Sequence, residues 1–221
     1  EFYQLDTETS FLTQDEFFDL MEPLFVELTE FAGKKVQQNP FPRIPFKEIF
    51  EKYGSDRPDL RFDLELRDVS VWGKNTGFKV FAEAEFVRAL FVPGGEEFTR
   101  KEIDDVYTDA AKRAGAKGLA YMKYAGGAWD GPIVKFFTEK ELNDFSGLCG
   151  VKENGIVFFA ADNYSVSCKS LGAVRELVGE RMKLADPSLI AWAWVVDFPF
   201  YEWDDKKNKV EFAHNPFSMP Q

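Results

Sequence analysis

One segment in the second half of the chain is built only from apolar residues, Ile156-Val157-Phe158-Phe159-Ala160-Ala161. A short apolar run that contains β-branched and aromatic residues predicts a buried strand. The residues that follow it, from about Tyr164 to Met182, predict a long helix. A buried strand beside a long helix restricts this part of the chain to a layered fold that mixes helices with a sheet.

The residues before this strand predict further strands and helices in alternation. Thr99 with Glu102 forms a capping box that begins a helix ending at Gly115, and Thr138 with Glu141 begins a short second helix. Glycine pairs at 94–95 and 126–127 are read as turns. Strands are predicted over residues 78–84, 87–92, 118–124 and 132–137. The order β-β-α-β-β-α-β-α indicates a compact α+β module, and we expect residues 72–184 to fold by themselves.

Composition excludes several classes of protein. A chain of 221 residues with 45% hydrophobic and 16% aromatic residues has ample material for packed cores, so global disorder is excluded. No apolar run approaches the ~18–20 residues of a membrane span.

Net charge bears on nucleic-acid binding. The 27 basic and 38 acidic residues give a net charge of −11, which argues against a dominant nucleic-acid interface. The argument is weak, since an acidic body can carry a local basic stripe. The best local candidate for such a stripe is Arg100, Lys101, Lys112, Arg113 and Lys117, although a solvated helix face is the favoured reading.

The two cysteines, Cys149 and Cys168, show no metal-binding spacing. Two cysteines in a chain of this size indicate reduced thiols in a cytosolic compartment, and both are read as structural. No metal site is predicted.

The first residues alternate in character and predict a strand over residues 2–11. Gln4, Asp6 and Glu8 would share one face of it, with neighbours ~7 Å apart. Two carboxylates and an amide that point the same way could bind an ammonium group. From the residues alone, a solvated strand face is the favoured reading.

The residues on either side of the middle block, 72–184, also predict helices and strands. A capping box of Thr13 with Glu16 begins a helix that stops at Gly33, and Gly54 closes a short helix over residues 46–53. Residues 190–201 predict a long aromatic strand, followed by a hairpin turn at 204–208 and a strand leading to His214. On chemistry alone, this only histidine is more often incidental than catalytic.

Three separate stretches carry a resemblance to a known family. They are residues 1–11, the segment Tyr53-Gly54-Ser55-Asp56-Arg57-Pro58-Asp59-Leu60-Arg61, and Ala213-His214-Asn215-Pro216-Phe217-Ser218-Met219-Pro220 near the end. Together they resemble bacterial-type aspartyl-tRNA synthetases of class II, with Arg57 at a position that is usually Lys.

The middle block resembles the insertion (GAD) domain that these enzymes share with a subunit of an archaeal tRNA-dependent amidotransferase. Residues 117–121, 131–136 and 171–175 carry that likeness.

The resemblance implies a fold and a division of the chain. Residues 1–71 would be part of the class II antiparallel-sheet core from the end of motif 2 onward. Residues 72–184 would be the inserted compact α+β domain, and 185–221 the return to the core, ending before motif 3. The strand after Asp186 would then rejoin the sheet begun by residues 2–11.

The resemblance also implies a site for aspartate. Gln4 and Asp6 match positions that contact the amino acid, including its α-ammonium, and Glu8 matches a supporting position. His214 matches a residue beside the side-chain carboxylate of aspartate. Asn215 stands where many members have a second histidine, and it cannot supply a positive charge.

The implied activity is that of an aspartate–tRNA ligase that forms aspartyl-adenylate from ATP and transfers the acyl group to tRNA. The acceptor would be tRNA for aspartate, with tRNA for asparagine left open; the parent would be a cytoplasmic homodimer with no membrane segment. The groups that hold ATP and magnesium would lie before Glu1 and after Gln221, and the anticodon-binding barrel would also lie outside. We therefore expect a central fragment that is inactive alone. The alternative is a non-enzymatic module that binds tRNA or protein.

Overall fold

A computed structural model describes residues 3–204 and 207–213 of the chain. Its helices are α1 (Gln14–Phe31), α2 (Phe46–Tyr53), α3 (Ser70–Lys74), α4 (Lys79–Ala82), α5 (Arg100–Glu102), α6 (Asp109–Arg113), α7 (Glu139–Cys149) and α8 (Tyr164–Met182). Its strands are β1 (Lys35–Val36), β2 (Arg43–Pro45), β3 (Leu66–Asp68), β4 (Phe86–Pro93), β5 (Ala120–Ala125), β6 (Ala128–Asp130), β7 (Gly155–Asp162), β8 (Leu189–Ile190), β9 (Trp194–Val196), β10 (Tyr201–Asp204) and β11 (Lys209–Phe212).

The apolar run at 156–161 lies in the centre of the largest sheet. This sheet is antiparallel and has five strands in the order β3-β4-β7-β5-β6. Phe158 of β7 lies opposite Leu90 of β4 on one side and opposite Tyr121 of β5 on the other. The buried strand predicted from the sequence is therefore confirmed, because β7 has a partner along each edge and helices over both faces.

Side chains on the two faces of β7 pack into different hydrophobic cores. Phe158 belongs to a core that α8 and the α5–α6 helix cover, and Phe159 belongs to a second core that α3, α4 and α7 cover. Side chains of a strand point alternately to opposite faces, so a continuous apolar run can fill both layers. The predicted α+β class is confirmed, with the sheet between two layers of helices.

Local capping sets where several helices begin. Thr13 and Thr138 form complete capping boxes with Glu16 and Glu141, as predicted. Thr99 caps α5 by accepting from the amide of Glu102 at 3.2 Å, while the Glu102 carboxylate accepts from Arg181 Nε at 2.8 Å. The predicted helix after Thr99 is confirmed as α5, a π-helical stretch (Ile103–Thr108) and α6 in succession.

Two predicted strands of the middle block are wrong. Residues 78–84 contain α4, and residues 132–137 contain a short 3₁₀ helix (Val134–Phe136). Phe78 and Phe81, three positions apart, lie on one side of α4 with ring centroids 4.8 Å apart. A short apolar run fits either period, so only packing separates the two cases. In the second segment, the amides of Phe136 and Phe137 donate to carbonyls three residues earlier rather than to a neighbouring strand.

The flanking segments form their own small assembly. After the insertion the chain returns beside the place where it left, since β8 pairs in parallel with β1 and β9 pairs in parallel with β2. Trp194 of β9 stacks on Phe18 of α1 with ring centroids 4.2 Å apart, and its indole donates to Glu22 at 2.9 Å. The buried Glu22 also accepts from the amide of Phe41 at 3.2 Å.

Two expectations for the flanks are wrong. Residues 3–10 form no strand, so the strands after Asp186 pair with β1 and β2 instead of a sheet begun at the start of the chain. The aromatic stretch at 190–201 is also not one strand but the separate β8, β9 and β10, with Asp197 at φ 55° just after β9. A strand needs a partner for its backbone groups, and residues 3–10 have none among the described residues.

The predicted hairpin is confirmed in its described part, where β10 and β11 pair antiparallel from Tyr201↔Phe212 to Asp204↔Lys209. The domain limits at 71/72 and 184/185 stay predictions; β3, which begins at Leu66, already belongs to the large sheet. Within residues 3–204 and 207–213, no helix is both long and apolar enough to span a membrane.

Candidate functional site

The predicted aspartate-binding residues lie in the exposed segment before α1. The Gln4 side-chain amide donates to Asp6 Oδ1 at 2.7 Å, and both residues and Glu8 are exposed. The structure thus brings Gln4 and Asp6 into direct contact without the predicted strand. One carboxylate oxygen of Asp6 accepts from Gln4, which leaves the other open to a further donor.

The remaining predicted site residues, His214 and Asn215, lie outside the described residues. The last described residue before them, Ala213, donates its amide to the carbonyl of Phe200 at 3.0 Å. This bond ties the end of the β10–β11 hairpin to the segment that precedes β10. The relation of His214 to Gln4 and Asp6 therefore stays a prediction.

The segment that resembles the family signature, residues 53–61, is a tightly bonded loop. Gly54 closes α2 in the left-handed conformation at φ 70°, and the hydroxyl of Ser55 accepts from the amide of Arg57 at 3.2 Å. Asp59 and Arg61 form a two-pronged pair with a shortest contact of 2.6 Å, and this bond lowers the pKa of the Asp59 carboxyl. The surface loop predicted here is confirmed, and it is ordered by its own side chains.

Arg175 of α8 holds the residues that follow this loop. The side chain is fully buried, and its guanidinium donates to the carbonyls of Asp59, Phe62 and Leu64 at 2.8–2.9 Å. It lies between the rings of Tyr53 and Phe62, at 4.8 and 4.2 Å from their centroids. Burial lowers the pKa of this guanidinium from its usual value. In the sequence, Arg175 is marked only as part of the segment 171–175 that resembles the insertion domain, and no contact of its side chain was predicted.

Two glycines let α2 and α8 approach at backbone distance. A Cβ atom built on Gly172 would lie 2.7 Å from the carbonyl oxygen of Gly54, and one built on Gly54 would lie 2.2 Å from the carbonyl oxygen of Cys168. A second buried guanidinium, Arg88, lies near this contact and donates to the carbonyl of Glu51 at 3.3 Å. The inserted sheet and the preceding flank are therefore joined by buried polar and close backbone contacts.

A cleft of about 370 Å³ lies where the inserted domain meets the hairpin. Its walls come from α2 and the loop after it, from α8, and from the segment around β10 and β11. The lining includes Ser55, Asp56, Lys169, Phe198, Glu202 and Ala213. This is the described cavity nearest along the chain to His214.

A larger cleft of about 720 Å³ opens beside α4 and β5 in the inserted domain. Its floor is aromatic, with Phe81 and Phe159, and its lining carries both carboxylates and the basic residues Arg100 and Lys117. The basic residues singled out in the sequence are exposed. Arg100 and Arg113 pair with Asp104 and Asp109, which favours the solvated-face reading.

The cysteines have the character of structural residues. Both are free thiols, and burial raises the pKa of Cys149 to about 12 and that of Cys168 to about 11. Among residues 3–204 and 207–213, no group of three His, Cys, Asp or Glu side chains could hold a metal ion.

Known proteins are similar to the chain over both the inserted domain and its flanks. Residues 79–171 match the GAD domain family. The whole chain is 42% identical over 226 residues to an aspartate–tRNA(Asp/Asn) ligase of Chlorobium phaeobacteroides strain BS1, and it covers 37% of that protein. It is 44% identical over 223 residues to an aspartate–tRNA ligase of Streptomyces avermitilis, of which it covers 38%.

Along its whole length the chain is similar to aspartate–tRNA ligases. It spans about 37% of the length of the curated relatives that it matches first. The GAD match begins at α4 and ends within α8, inside the insertion predicted from the sequence. Arg175 and the loop that it holds lie outside the matched range, after its end and before its beginning, respectively.

Proposed function

We propose that the chain works as part of an aspartate–tRNA ligase, which joins aspartate to tRNA in two steps. ATP first activates aspartate as aspartyl-adenylate, and the acyl group then passes to the terminal adenosine of the tRNA. The observation that carries this proposal is the similarity to aspartate–tRNA ligases along the whole chain, at 42% identity to one and 44% to another.

Within this enzyme, Gln4 and Asp6 would bind the α-ammonium group of aspartate. Their mutual hydrogen bond of 2.7 Å supports a shared role, because it orients the Asp6 carboxylate with one oxygen still open. A carboxylate and an amide oxygen accept from an ammonium group in charge-assisted hydrogen bonds. Glu8 would support this segment. His214, with Asn215 beside it, would face the side-chain carboxylate of aspartate.

The described residues contribute positioning and charge to this chemistry. Holding reactants in place supplies a large part of the rate enhancement of such a transfer. Among the described residues, no three His, Cys, Asp or Glu side chains lie together as metal ligands. No step is therefore assigned to magnesium, and ATP would be held largely by residues that this chain does not contain.

The partners of the enzyme follow from the same proposal. The substrates would be L-aspartate, ATP and the tRNA for aspartate, in a cytoplasmic homodimer. One relative is named for both the Asp and Asn tRNAs and another for aspartate alone, so charging of the asparagine tRNA is left for experiment.

Aspartate-dependent exchange between ATP and pyrophosphate tests the activity. A longer protein that carries this chain should catalyse the exchange, and the 221-residue chain alone should not, because it covers only 37% of its relatives. Robust exchange by the 221-residue chain would show that it contains the groups we place elsewhere. An inactive longer protein that still binds tRNA would favour the alternative, a non-enzymatic binding module.

Two substitutions in the longer enzyme test the site. Asp6→Asn should cost on the order of 2–4 kcal/mol in transition-state binding, since it removes the charge partner of the ammonium. His214→Ala should cost about 1–3 kcal/mol from a lost hydrogen bond to a charged group. Both losses should appear in kcat/KM for aspartate and not in ATP affinity. Asp144→Asn, an exposed change on α7, is the matched control. An aspartate kcat/KM within about twofold of the parent would remove that residue from the pocket.

A further inference from the structure

The central sheet of the inserted domain is incomplete along one side of β7. This strand pairs with β4 as far as Asp162, but its pairing with β5 stops at Phe159. The residues that would continue β5, 117–119, belong to no strand. Residues 160–162 of β7 therefore have a partner strand on one side and, among the described residues, no partner strand on the other.

The register shows which backbone groups this gap leaves open. The carbonyl of Val87 in β4 accepts from the amide of Val69, and its amide donates to the hydroxyl of Ser70, both at 2.9 Å. Both backbone groups of Val87 thus point away from β7. Opposite residues of an antiparallel pair either bond to each other or both point outward, and Ala161 lies opposite Val87. The N–H and C=O of Ala161 therefore point to the side that β5 leaves open, where no described residue bonds to them.

The cleft of about 720 Å³ lies at this gap. Its lining includes Ala161 and Gly118, which would face each other if β5 continued. A Cβ atom built on Gly118 meets no atom within 4 Å, so the space beside it is open. The walls come from both helix layers, with Phe81 of α4 on one side and Arg100 of α5 on the other. The volume falls within the roughly 300–1,000 Å³ of ligand sites.

The open backbone groups and the cleft floor fit an extended peptide. An unpaired N–H and C=O on a strand edge is the template to which a further strand adds. Phe78, Tyr121 and Ile133 line the cleft beside the buried Phe159, and such a surface accepts a bulky apolar side chain. Because side chains alternate along a strand, one apolar residue could enter the cleft while its two neighbours point away.

The charges of the cleft favour a basic peptide. Its lining contains more carboxylates (Glu83, Glu85, Asp104 and Asp162) than cations (Arg100 and Lys117). Arg100 lies 3.6 Å from Asp104, so these two charges largely offset each other. Glu83 and Glu85 are both exposed, and neither forms an ion pair within the described part of the chain. Carboxylates left over in this way attract the cationic side chains of a partner.

We propose that the cleft between β5 and β7 binds an extended segment of a partner protein. The segment adds a short strand at Ala161 and places one bulky apolar side chain on the cleft floor. Lys or Arg residues two positions away from this side chain lie beside Glu83 and Glu85. The proposal is independent of the ligase activity, because it gives the inserted domain a peptide-binding surface of its own.

An NMR titration of the 221-residue chain tests the binding. The probes are three end-blocked hexapeptides, Lys-Thr-Z-Thr-Lys-Thr with Z as Leu, Phe or Trp. At least one should shift the amide signals of residues 117–121 and 159–163, with the largest shift at Ala161. The same peptides with Glu in place of Lys should bind at least about fivefold more weakly. No shift at these residues with any of the three, or equal affinity for the Glu peptides, would overturn the proposal.

Substitutions in the cleft test the two kinds of contact. Ala161→Pro removes the N–H that faces the cleft and leaves the bonds to β4 in place, so it should weaken binding at least about tenfold. If this variant does not fold, the double change Glu83→Gln and Glu85→Gln should weaken binding of the Lys peptides about threefold to tenfold. Unchanged affinity in the double variant would overturn the proposal.

A matched control and a second probe separate this binding from other causes. Glu139→Gln with Glu153→Gln makes the same charge change at exposed positions of the inserted domain outside the cleft, and affinity should stay within about twofold. An equal loss in this control would show a general charge effect and overturn the proposal. A short single-stranded RNA that shifts the same amides at lower concentrations than the peptides would identify a nucleic-acid site and also overturn it.

Discussion

The inserted sheet and the flanking segments differ in how completely they bury their aromatic residues, since the flanks bury Phe18 and Phe41 but leave other rings exposed. In the insertion, Phe81, Phe158 and Phe159 are at most 1% exposed. In the flank before it, Phe11 and Phe31 are 103% and 90% exposed. The insertion builds two cores around β7, to which Leu66 and Val69 also contribute, whereas the flanks contain short strand pairs and exposed apolar side chains such as Leu5 and Phe31. The contrast indicates that the insertion is the stable body of the chain, with the flanks docked on it.

The largest effect on stability is expected when the residues before the insertion are removed. The sequence predicts that residues 72–184 fold alone, but the structure places Leu66 and Val69 in the cores and gives Arg175 its acceptors at residues 59–64. Residues 58–184 should therefore unfold cooperatively. Residues 72–184 should be less stable by on the order of 4 kcal/mol, because a buried charge loses its partners. Urea unfolding of both pieces measures the difference, and equal stabilities would contradict the docking described here.

Paired phenylalanine substitutions should show the next largest effect. Phe159→Ala removes a ring that is 1% exposed and should lower the free energy of unfolding by about 3–5 kcal/mol. Phe31→Ala removes a ring that is 90% exposed and should change it by less than about 0.5 kcal/mol. Both values come from chemical denaturation of the 221-residue chain. A large loss for Phe31→Ala would mean that the flank contributes to the stable body.

Two glycine substitutions test the contact between the insertion and the preceding flank. Gly172→Ala would press a Cβ atom to 2.7 Å from the carbonyl oxygen of Gly54 and should cost about 1–3 kcal/mol. The control Gly147→Ala lies in α7 with no atom within 4 Å of its Cβ position and should stabilise by about 0.5–1 kcal/mol. Thermal unfolding compares the two. Similar effects would show that α2 can move away from α8.

Near neutral pH, the smallest expected effect is the pH dependence from the two thiols. Burial raises the pKa of Cys149 to about 12 and that of Cys168 to about 11, from an ordinary value of 9.0. The folded state therefore holds these protons more strongly than the unfolded state. Their contribution to stability is complete below pH 9 and is lost as the pH rises through the folded pKa values. A thiol reagent at pH 8 should label the folded chain slowly and the denatured chain fast; rapid labelling of the folded chain would contradict this burial.

Prediction from the sequence was most accurate where the signal is local. Helix α2 and helix α8 have the predicted bounds, since Gly54 ends the first and a side-chain cap at Asn163 begins the second. The apolar run at 156–161 needed no knowledge of its neighbours to be read as buried. The family and its inserted domain were also identified from sequence motifs, and the comparisons support both.

Prediction failed where a segment needs a distant partner. Residues 2–11 alternate like a strand, yet residues 3–10 find no edge to pair with among the described residues. The run at 78–84 could satisfy either period, and the packing of Phe81 against Phe159 at 5.2 Å accompanies a helix there. The candidate aspartate site stays a prediction: Gln4 and Asp6 contact each other, and His214 lies outside the described residues.

The sequence by itself determined the α+β class, the ends of several helices, the buried central strand and the family resemblance, because caps, glycine stops and apolar runs act over a few residues. Only the tertiary structure decided that β8 and β9 return to β1 and β2, that Leu66 starts the inserted sheet, and that Arg175 holds the loop after α2. Apart from the pairing of Leu66 with Leu90, these contacts join residues more than a hundred positions apart, such as Asp59 and Arg175. Their energy depends on shape and on acceptors that exist only after folding, so no local pattern encodes them.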